Sequence, residues 1–397
     1  MNTVFKLRPA LFIWIMMIVK AITEIVGVEY AILLLGILFS ICFISRQGIK
    51  LNTFKILSPL LILFVVQCAG FLGNPSMHAL KNIIAVIGIW GISYCLLSKE
   101  KEKFSIWYRL CFILLIIFYF YQYMRSGEEF FALQNSLAAC LTFLYFDYLI
   151  LEFLNESEKK SKMRILFLIV CCIALLFLVF ITNSRTALFT FMLILVVYVL
   201  LSLMRFKEKT LNKLYWLLVF TLVLIIYIYT NIHNFSWYNE VNQYSIEFFG
   251  KNLDTSRPFL WSSELSRLKG SLFVGLGTGI LPQLERYADS SFHNTYIQLL
   301  MQNGVIGLIC LILYLYNLWK KITSYIDTRL GKLLLAVLVG VLIYNCFEVT
   351  LLSNKIFVGI AQWYGLILGI RILQCSEINQ ETNYINKKSN EIIEGIL

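Results

Sequence analysis

Apolar residues in this chain come in long unbroken runs, and polar residues collect between them. The runs fall near residues 9–25, 28–45, 56–73, 80–98, 105–123, 133–152, 165–182, 186–204, 214–230, 294–318, 333–352 and 356–373. Each is roughly 17–25 residues long, enough as helix to cross a hydrocarbon core of about 30 Å. A helix satisfies its backbone hydrogen bonds within itself, as lipid demands. The pattern therefore predicts an all-α polytopic membrane protein with about twelve transmembrane helices. Its parts are an N-terminal bundle of nine helices over 1–230, a large loop over 231–293 with short amphipathic helices, C-terminal transmembrane helices over 294–373, and a tail over 374–397. The tail is polar from Ser376 onward and is expected to be poorly ordered.

Composition agrees: 59% of residues are hydrophobic and 14% charged, against roughly 25% charged in soluble domains, and the mean hydropathy is +0.76. The net charge of +11 raises the question of a nucleic-acid partner. The basic residues form short groups beside the runs, such as Lys6/Arg8, Arg46/Lys50/Lys55, Lys159/Lys160/Lys162/Arg164 and Arg205/Lys207/Lys209/Lys213, in every second connection. That alternation is a topology signal and a contact for anionic lipid, and no basic nucleic-acid motif accompanies it. It predicts cytoplasmic termini and an extracytoplasmic large loop, with the first span a retained anchor. The ten cysteines lie in or beside spans, so disulfides are not expected. The three histidines, His78, His233 and His293, lack metal-ligand spacing, so no metal and no other cofactor is expected.

The large loop exceeds the roughly 15 residues above which loops are usually functional or disordered. Its aromatics, among them Trp237, Tyr238, Phe248, Phe249, Phe259, Trp261 and Phe273, would be costly to leave in water. Thr255-Ser256 before Arg257-Pro258 reads as a helix start. Trp261, Leu265 and Leu268 then recur at helical spacing and Gly270 closes the segment, which predicts a short amphipathic helix on the membrane or on the bundle. Gly275-x-Gly277-x-Gly279 follows. No strand precedes it and no βαβ unit surrounds it, so tight backbone packing is the better reading than nucleotide binding.

Three side chains carry candidate chemistry. His293 stands at the mouth of a span, where a neutral imidazole can accept a proton; the plainer alternative is an interfacial histidine, with Asn294 capping the helix. Arg185, in Thr182-Asn183-Ser184-Arg185-Thr186, occupies a connection so short that its guanidinium must sit at or just below the outer interface. An arginine there is either functional or snorkels to headgroups. Arg257 opens the loop helix and is otherwise a solvated cation. Two arginines converging on one cavity suit a diphosphate, because each guanidinium can hold two phosphate oxygens.

Ser184-Arg185-Thr186-Ala187, Arg257 followed by Trp261, Gly275-x-Gly277, and His293-Asn294 followed after nine residues by Gly304 and then Gly307 together resemble the O-antigen ligase and polymerase superfamily. The motifs span Asn183 to Gly307. The resemblance implies a metal-independent membrane glycosyltransferase of the GT-C kind, acting on undecaprenyl-diphosphate-linked oligosaccharides at the outer face of a bacterial cytoplasmic membrane. It implies donor and acceptor glycans as substrates, with a flippase and a chain-length regulator as possible partners. His293 would be the catalytic base, Arg185 and Arg257 the diphosphate clamp, and Asn294, Ser184, Gly275, Gly277 and Trp261 supporting residues.

Alternatives stay open. A repeat-unit polymerase is favoured over a ligase, since the Ile-, Phe-, Tyr-, Asn- and Lys-rich composition points to an AT-rich genome. A glycan flippase or transporter would predict broken helices and polar residues near mid-membrane. A metal-dependent site would use Glu24 and Glu29, although Glu24 also stands at helical spacing from Lys20. Secondary candidates are Lys81, Arg125, Arg267, Lys269 and Arg286 for charge, and Trp237, Tyr238, Trp261 and Tyr287 for stacking on sugars, while Tyr296 reads as a belt aromatic.

Overall fold

The computed structural model describes residues 8–23, 25, 27–98, 104–127, 135–154, 162–249, 257–283 and 291–394, with side chains described up to 377 and omitted at 248 and 249. Every apolar run of the sequence contains a helix. In chain order these are α1 (Pro9–Thr23), α2 (Val28–Gln47), α3 (Leu51–Gly73), α4 (Met77–Ser98), α5 (Ile106–Ser126), α6 (Asn135–Glu152), α7 (Lys162–Ile181), α8 (Arg185–Leu203) and α9 (Glu208–Thr230). The large loop holds α10 (Tyr238–Phe249) and α11 (Arg257–Ser266), and α12 (Thr295–Thr323), α13 (Arg329–Tyr344) and α14 (Ile356–Glu394) complete the chain. The fold is all-helical, a multi-pass membrane protein. Among the described residues, nine helices are long and apolar enough to cross a membrane by themselves: α2 to α5, α7 to α9, α12 and α14.

The other three apolar runs form shorter or more polar helices. Nearly all of α6 is buried, including Thr142, Asp147 and Glu152. It packs against α7, α8 and α14 rather than facing lipid, so it does not need a purely apolar surface. Glycines set the closest helix contacts, as small residues do where apolar lipid offers no driving force for helix association. Gly36 of α2 lies on Gly91 and Ile92 of α4, and Gly340 of α13 lies on Thr190 and Ile194 of α8.

One expected boundary is corrected. The run read as a span over 333–352 ends as helix at Tyr344. Asn345 stops it because its carbonyl accepts from the Thr295 amide at 2.9 Å and its side-chain amide turns back to the Val341 carbonyl at 2.8 Å. α14 continues as helix through the polar C-terminal segment to Glu394.

The helix α12 is broken at Gly304, whose φ of 65° and ψ of −166° are not helical. The break frees backbone groups, and the loop satisfies them: the amides of Leu276 and Gly277 donate to the carbonyls of Met301 and Gln302 at 2.8 and 3.2 Å. In return the amides of Val305 and Ile306 donate to the Leu272 and Phe273 carbonyls at 2.9 and 3.3 Å. Gly275 has φ 76°, and a Cβ there would lie 2.6 Å from the Gln302 carbonyl carbon. The glycine turn is thus a backbone dock for a discontinuous helix. A Gly304→Ala variant would place a methyl against the Phe273 carbonyl at positive φ. Strain of that kind costs about 1–3 kcal/mol, so a thermal-unfolding scan in detergent should show a clearly lower midpoint; an unchanged midpoint would mean the dock contributes little.

Candidate active site

The start of α12 is fixed from several sides. The Asn294 side-chain carbonyl accepts from the amides of Tyr296 and Ile297 at 2.9 and 3.0 Å, capping the helix as the sequence suggested. Its amide donates to the Cys346 carbonyl at 2.8 Å. The Thr295 hydroxyl donates to Asn345 Oδ1 at 2.8 Å and lies 3.0 Å from the Glu348 carbonyl. The Gln298 amide reaches Ser353 Oγ at 2.8 Å. The 345–353 segment is therefore tied to the first turns of α12.

His293 sits immediately before that cap in a left-handed conformation, φ 52°. Such a backbone costs about 1–3 kcal/mol in a non-glycine residue and persists only where its surroundings over-determine it. They do here: the His293 amide donates to Ser291 Oγ at 3.3 Å, and Trp261 Nε1 donates to the preceding Phe292 carbonyl at 2.7 Å. Trp261 and Leu260 of α11 and Phe292 form a small buried cluster with Ile297 and Met301 of α12. The amphipathic loop helix lies on the bundle.

Arg257 opens α11. Its Nη1 donates to the Phe347 carbonyl at 2.7 Å and its Nη2 pairs with Glu348 at 3.4 Å. This guanidinium is held in place, with two of its five N–H donors engaged. Burial first, then the charges of Arg257 and Lys355, push the His293 imidazole down to about 4. Its Nδ1 is buried with no partner among the described residues. At neutral pH the ring is uncharged and able to accept a proton. Protonation removes that capacity, so a reaction that uses this ring as its base is retained above this value and lost as pH falls through it. In a pH profile kcat/KM, which reports the free enzyme, should hold well below neutrality and fall through about pH 4. A limb near the ordinary value of about 6.5 would mean that neither burial nor these charges act on it.

Arg185 begins α8 and is exposed, with no hydrogen bond or ion pair to a described residue. Since Thr190 packs on Gly340, Arg185 stands roughly 7 Å further along α8, level with the end of α13 and the segment that carries Glu348. Arg257 and His293 are thus brought together, while Arg185 shares their face without a direct contact. Ser184 is buried at the α8 N-cap, but its side chain makes no capping bond.

The remaining candidates separate. Trp261 is 1% exposed, which corrects the reading of it as a sugar-stacking surface. Tyr296 is a buried interhelical pin, not a belt aromatic: its hydroxyl donates to the Leu342 carbonyl at 2.8 Å. Arg267 is engaged by the buried Glu264, whereas Lys81, Arg125, Lys269 and Trp237 are exposed and Tyr238 is half-buried. Arg286, Tyr287, Glu24, Thr255 and Ser256 lie outside the described residues. Glu29 pairs with Lys20 at 3.0 Å. Sequence reasoning missed Glu348 and Lys355. Both lie in or beside the connection before the last span, and the available signal was a lone acid and a lone base on the same side as His293.

No curated protein matches the chain. Residues 170–312 match the family model described as O-Antigen ligase, a segment running from α7 through the large loop into α12 and including Arg185, Arg257 and His293. Over that segment the chain is similar to the O-antigen ligase family.

Proposed function

We propose that the chain is a repeat-unit polymerase, joining polyprenyl-diphosphate-linked oligosaccharides by inverting, metal-independent glycosyl transfer at the outer face of a bacterial cytoplasmic membrane. The observation that carries this reading is a neutral, strained, half-buried His293 held beside two cations on the large-loop face. His293 takes the proton from the acceptor hydroxyl as its oxygen bonds to the anomeric carbon. The bond from that carbon to the diphosphate oxygen breaks on the opposite face, and its electron pair leaves with the diphosphate. The transition state resembles an oxocarbenium ion, and Arg257 and Arg185 stabilise the charge growing on the leaving group.

Electrostatics links binding to basicity. Burial first, and then the charges of Arg257 and Lys355, hold the imidazole at a low pKa, and an arriving diphosphate offsets the part due to the two cations. His293 then becomes a stronger base when donor is bound, so the acidic limb of kcat should lie above that of kcat/KM. An apolar cleft of about 130 Å³ between α9 and α12, walled by Tyr215, Leu222, Ile226, Tyr296 and Leu308, begins three residues beyond His293 and suits an isoprenoid tail.

A second reading, transfer of a finished glycan to lipid A core or protein, is favoured by the description of the matching family. Purified protein in detergent, given lipid-linked repeat units alone, should yield a ladder of products without any ion gradient. Product only after lipid A core is added would select the ligase; no product in either case would remove both. EDTA should leave the ladder unchanged, since the cations proposed to meet the diphosphate are side chains; loss restored by a divalent metal would favour the Glu24 and Glu29 alternative.

A further inference from the structure

Three consecutive apolar residues of the large loop, Leu272, Phe273 and Val274, are 48%, 69% and 65% exposed. They lead into the glycine turn that docks on the break in α12. Beyond that break α12 runs on as a helix able to cross a membrane, and its outward side chains Ile306, Ile309 and Leu313 are also exposed. The amides of Val305 and Ile306 donate to the Leu272 and Phe273 carbonyls. The loop residues thus adjoin the apolar outer surface of α12.

Neighbouring helices give the depth of this patch. Near their basic ends, marked by the exposed Lys55 and Lys320, α3 and α12 are level, since Asn317 Nδ2 donates to the Ile56 carbonyl at 3.2 Å. Roughly 26 Å of helix separates Ile56 from Gly73, where α3 ends at Asn74; that is close to a hydrocarbon thickness of about 30 Å. Toward this end the Thr278 hydroxyl donates to the Gln67 carbonyl at 3.0 Å and accepts from the Asn303 amide at 2.9 Å, and it lies against Gly70. These contacts put Thr278 roughly 5–9 Å short of the end of α3. Leu272 and Phe273 pair with α12 one turn further in than Leu276 and Gly277 do.

We propose that Leu272, Phe273 and Val274 are a membrane anchor, inserted among the acyl chains of the leaflet on the large-loop side, about as deep as the 5–10 Å typical of interfacial helices. Irregular backbone enters lipid only where its polar groups are met. Here the Leu272 and Phe273 carbonyls and the amides of Gly275, Leu276 and Gly277 are all hydrogen-bonded. The amides of Leu272, Phe273 and Val274 find no backbone acceptor among the described residues, which keeps the insertion at the rim, within reach of headgroups and water. On either side of the anchor, Leu268 belongs to the cluster of Trp261 and Phe292 and Leu276 packs on it. The anchor therefore fixes the depth of the cluster that holds His293, whatever reaction occurs there.

The test uses the purified full chain in vesicles of phosphatidylethanolamine and phosphatidylglycerol, with no other protein present. The photoreactive analogue p-benzoylphenylalanine is placed singly at Phe273, Val274, Ile306 or Ser262, the last exposed on α11 beside His233. Its benzophenone inserts into a neighbouring C–H bond on illumination, so intact mass separates phospholipid adducts from protein ones. Phospholipid adducts should form at Phe273 and Val274 in yields comparable with Ile306 and be lost at Ser262. Cross-linked pairs of chains at Phe273 in place of lipid would mean that a second copy covers the patch, and no adduct of either kind would leave it in water; both results overturn the anchor. Accessibility gives an independent reading. Phe273→Cys in the same vesicles should react with a membrane-impermeant maleimide far more slowly than Ser262→Cys, counted above the wild-type background of native cysteines, and equal rates would overturn the anchor as well. Phe273→Ser should keep the unfolding midpoint of the wild type in detergent, since the dock uses the carbonyl of this residue and leaves its side chain exposed; a large fall would make the ring part of the protein core instead.

Discussion

Replacing His293 with alanine should leave the protein in the membrane at normal abundance and lower glycan transfer by about 10²–10⁴-fold, the usual contribution of a positioned general base. The local structure should tolerate the change, because the contacts that hold the residue belong to its neighbours. Trp261 bonds the Phe292 carbonyl, the Asn294 side chain caps α12, and Ser291 accepts from the His293 backbone amide. His293→Asn is the sharper variant, since asparagine adopts positive φ more readily than alanine while lacking a basic ring nitrogen. Transfer within a few-fold of wild type in both variants would remove His293 as the base. Loss of protein from the membrane in both would show that the imidazole holds the loop.

The fold was largely legible because membrane insertion and backbone satisfaction act on long apolar runs that composition records directly. The site was legible only in part. Arg185, Arg257, His293 and Asn294 stand out because a charge or an imidazole at the edge of lipid is costly without a purpose. The partners of these residues do not stand out, because the 345–352 stretch, Asn-Cys-Phe-Glu-Val-Thr-Leu-Leu, is apolar enough to pass for the end of a span. It is buried by protein, against the start of α12, and burial by protein and burial by lipid leave similar compositions. Glu348 lies within that stretch, where nothing in the sequence marks it as the counter-charge of Arg257.

The glycines show the same limit from another side. The spacing of Gly304 after His293 was visible as a motif, but its reason is a break in α12 whose freed amides and carbonyls are met by residues 272–277. One-dimensional sequence contains both halves of that dock without stating that they meet. Gly340 against Thr190 is similar: the contact that sets Arg185 level with the end of α13 depends on packing between helices distant in the chain.

A double-mutant cycle on Arg257 and Glu348 should separate structure from chemistry. Removing one member of a buried ion pair costs about 3–5 kcal/mol because the other is left uncompensated. With side chains 17% and 8% exposed, this pair belongs toward the lower end of that range. Arg257→Met should therefore lower both thermal stability and transfer, stranding the Glu348 carboxylate and freeing the Phe347 carbonyl. Adding Glu348→Met removes the stranded charge, and apolar replacement of both partners is often neutral or stabilising. Stability should return toward wild type in the double variant, and transfer should not, because the donor still lacks the guanidinium proposed to meet its diphosphate. Arg257→Lys should behave in between, keeping the charge but not the planar fork. Recovery of transfer together with stability in the double variant would reduce Arg257 to a brace for the 345–353 segment and leave Arg185 to carry the anion.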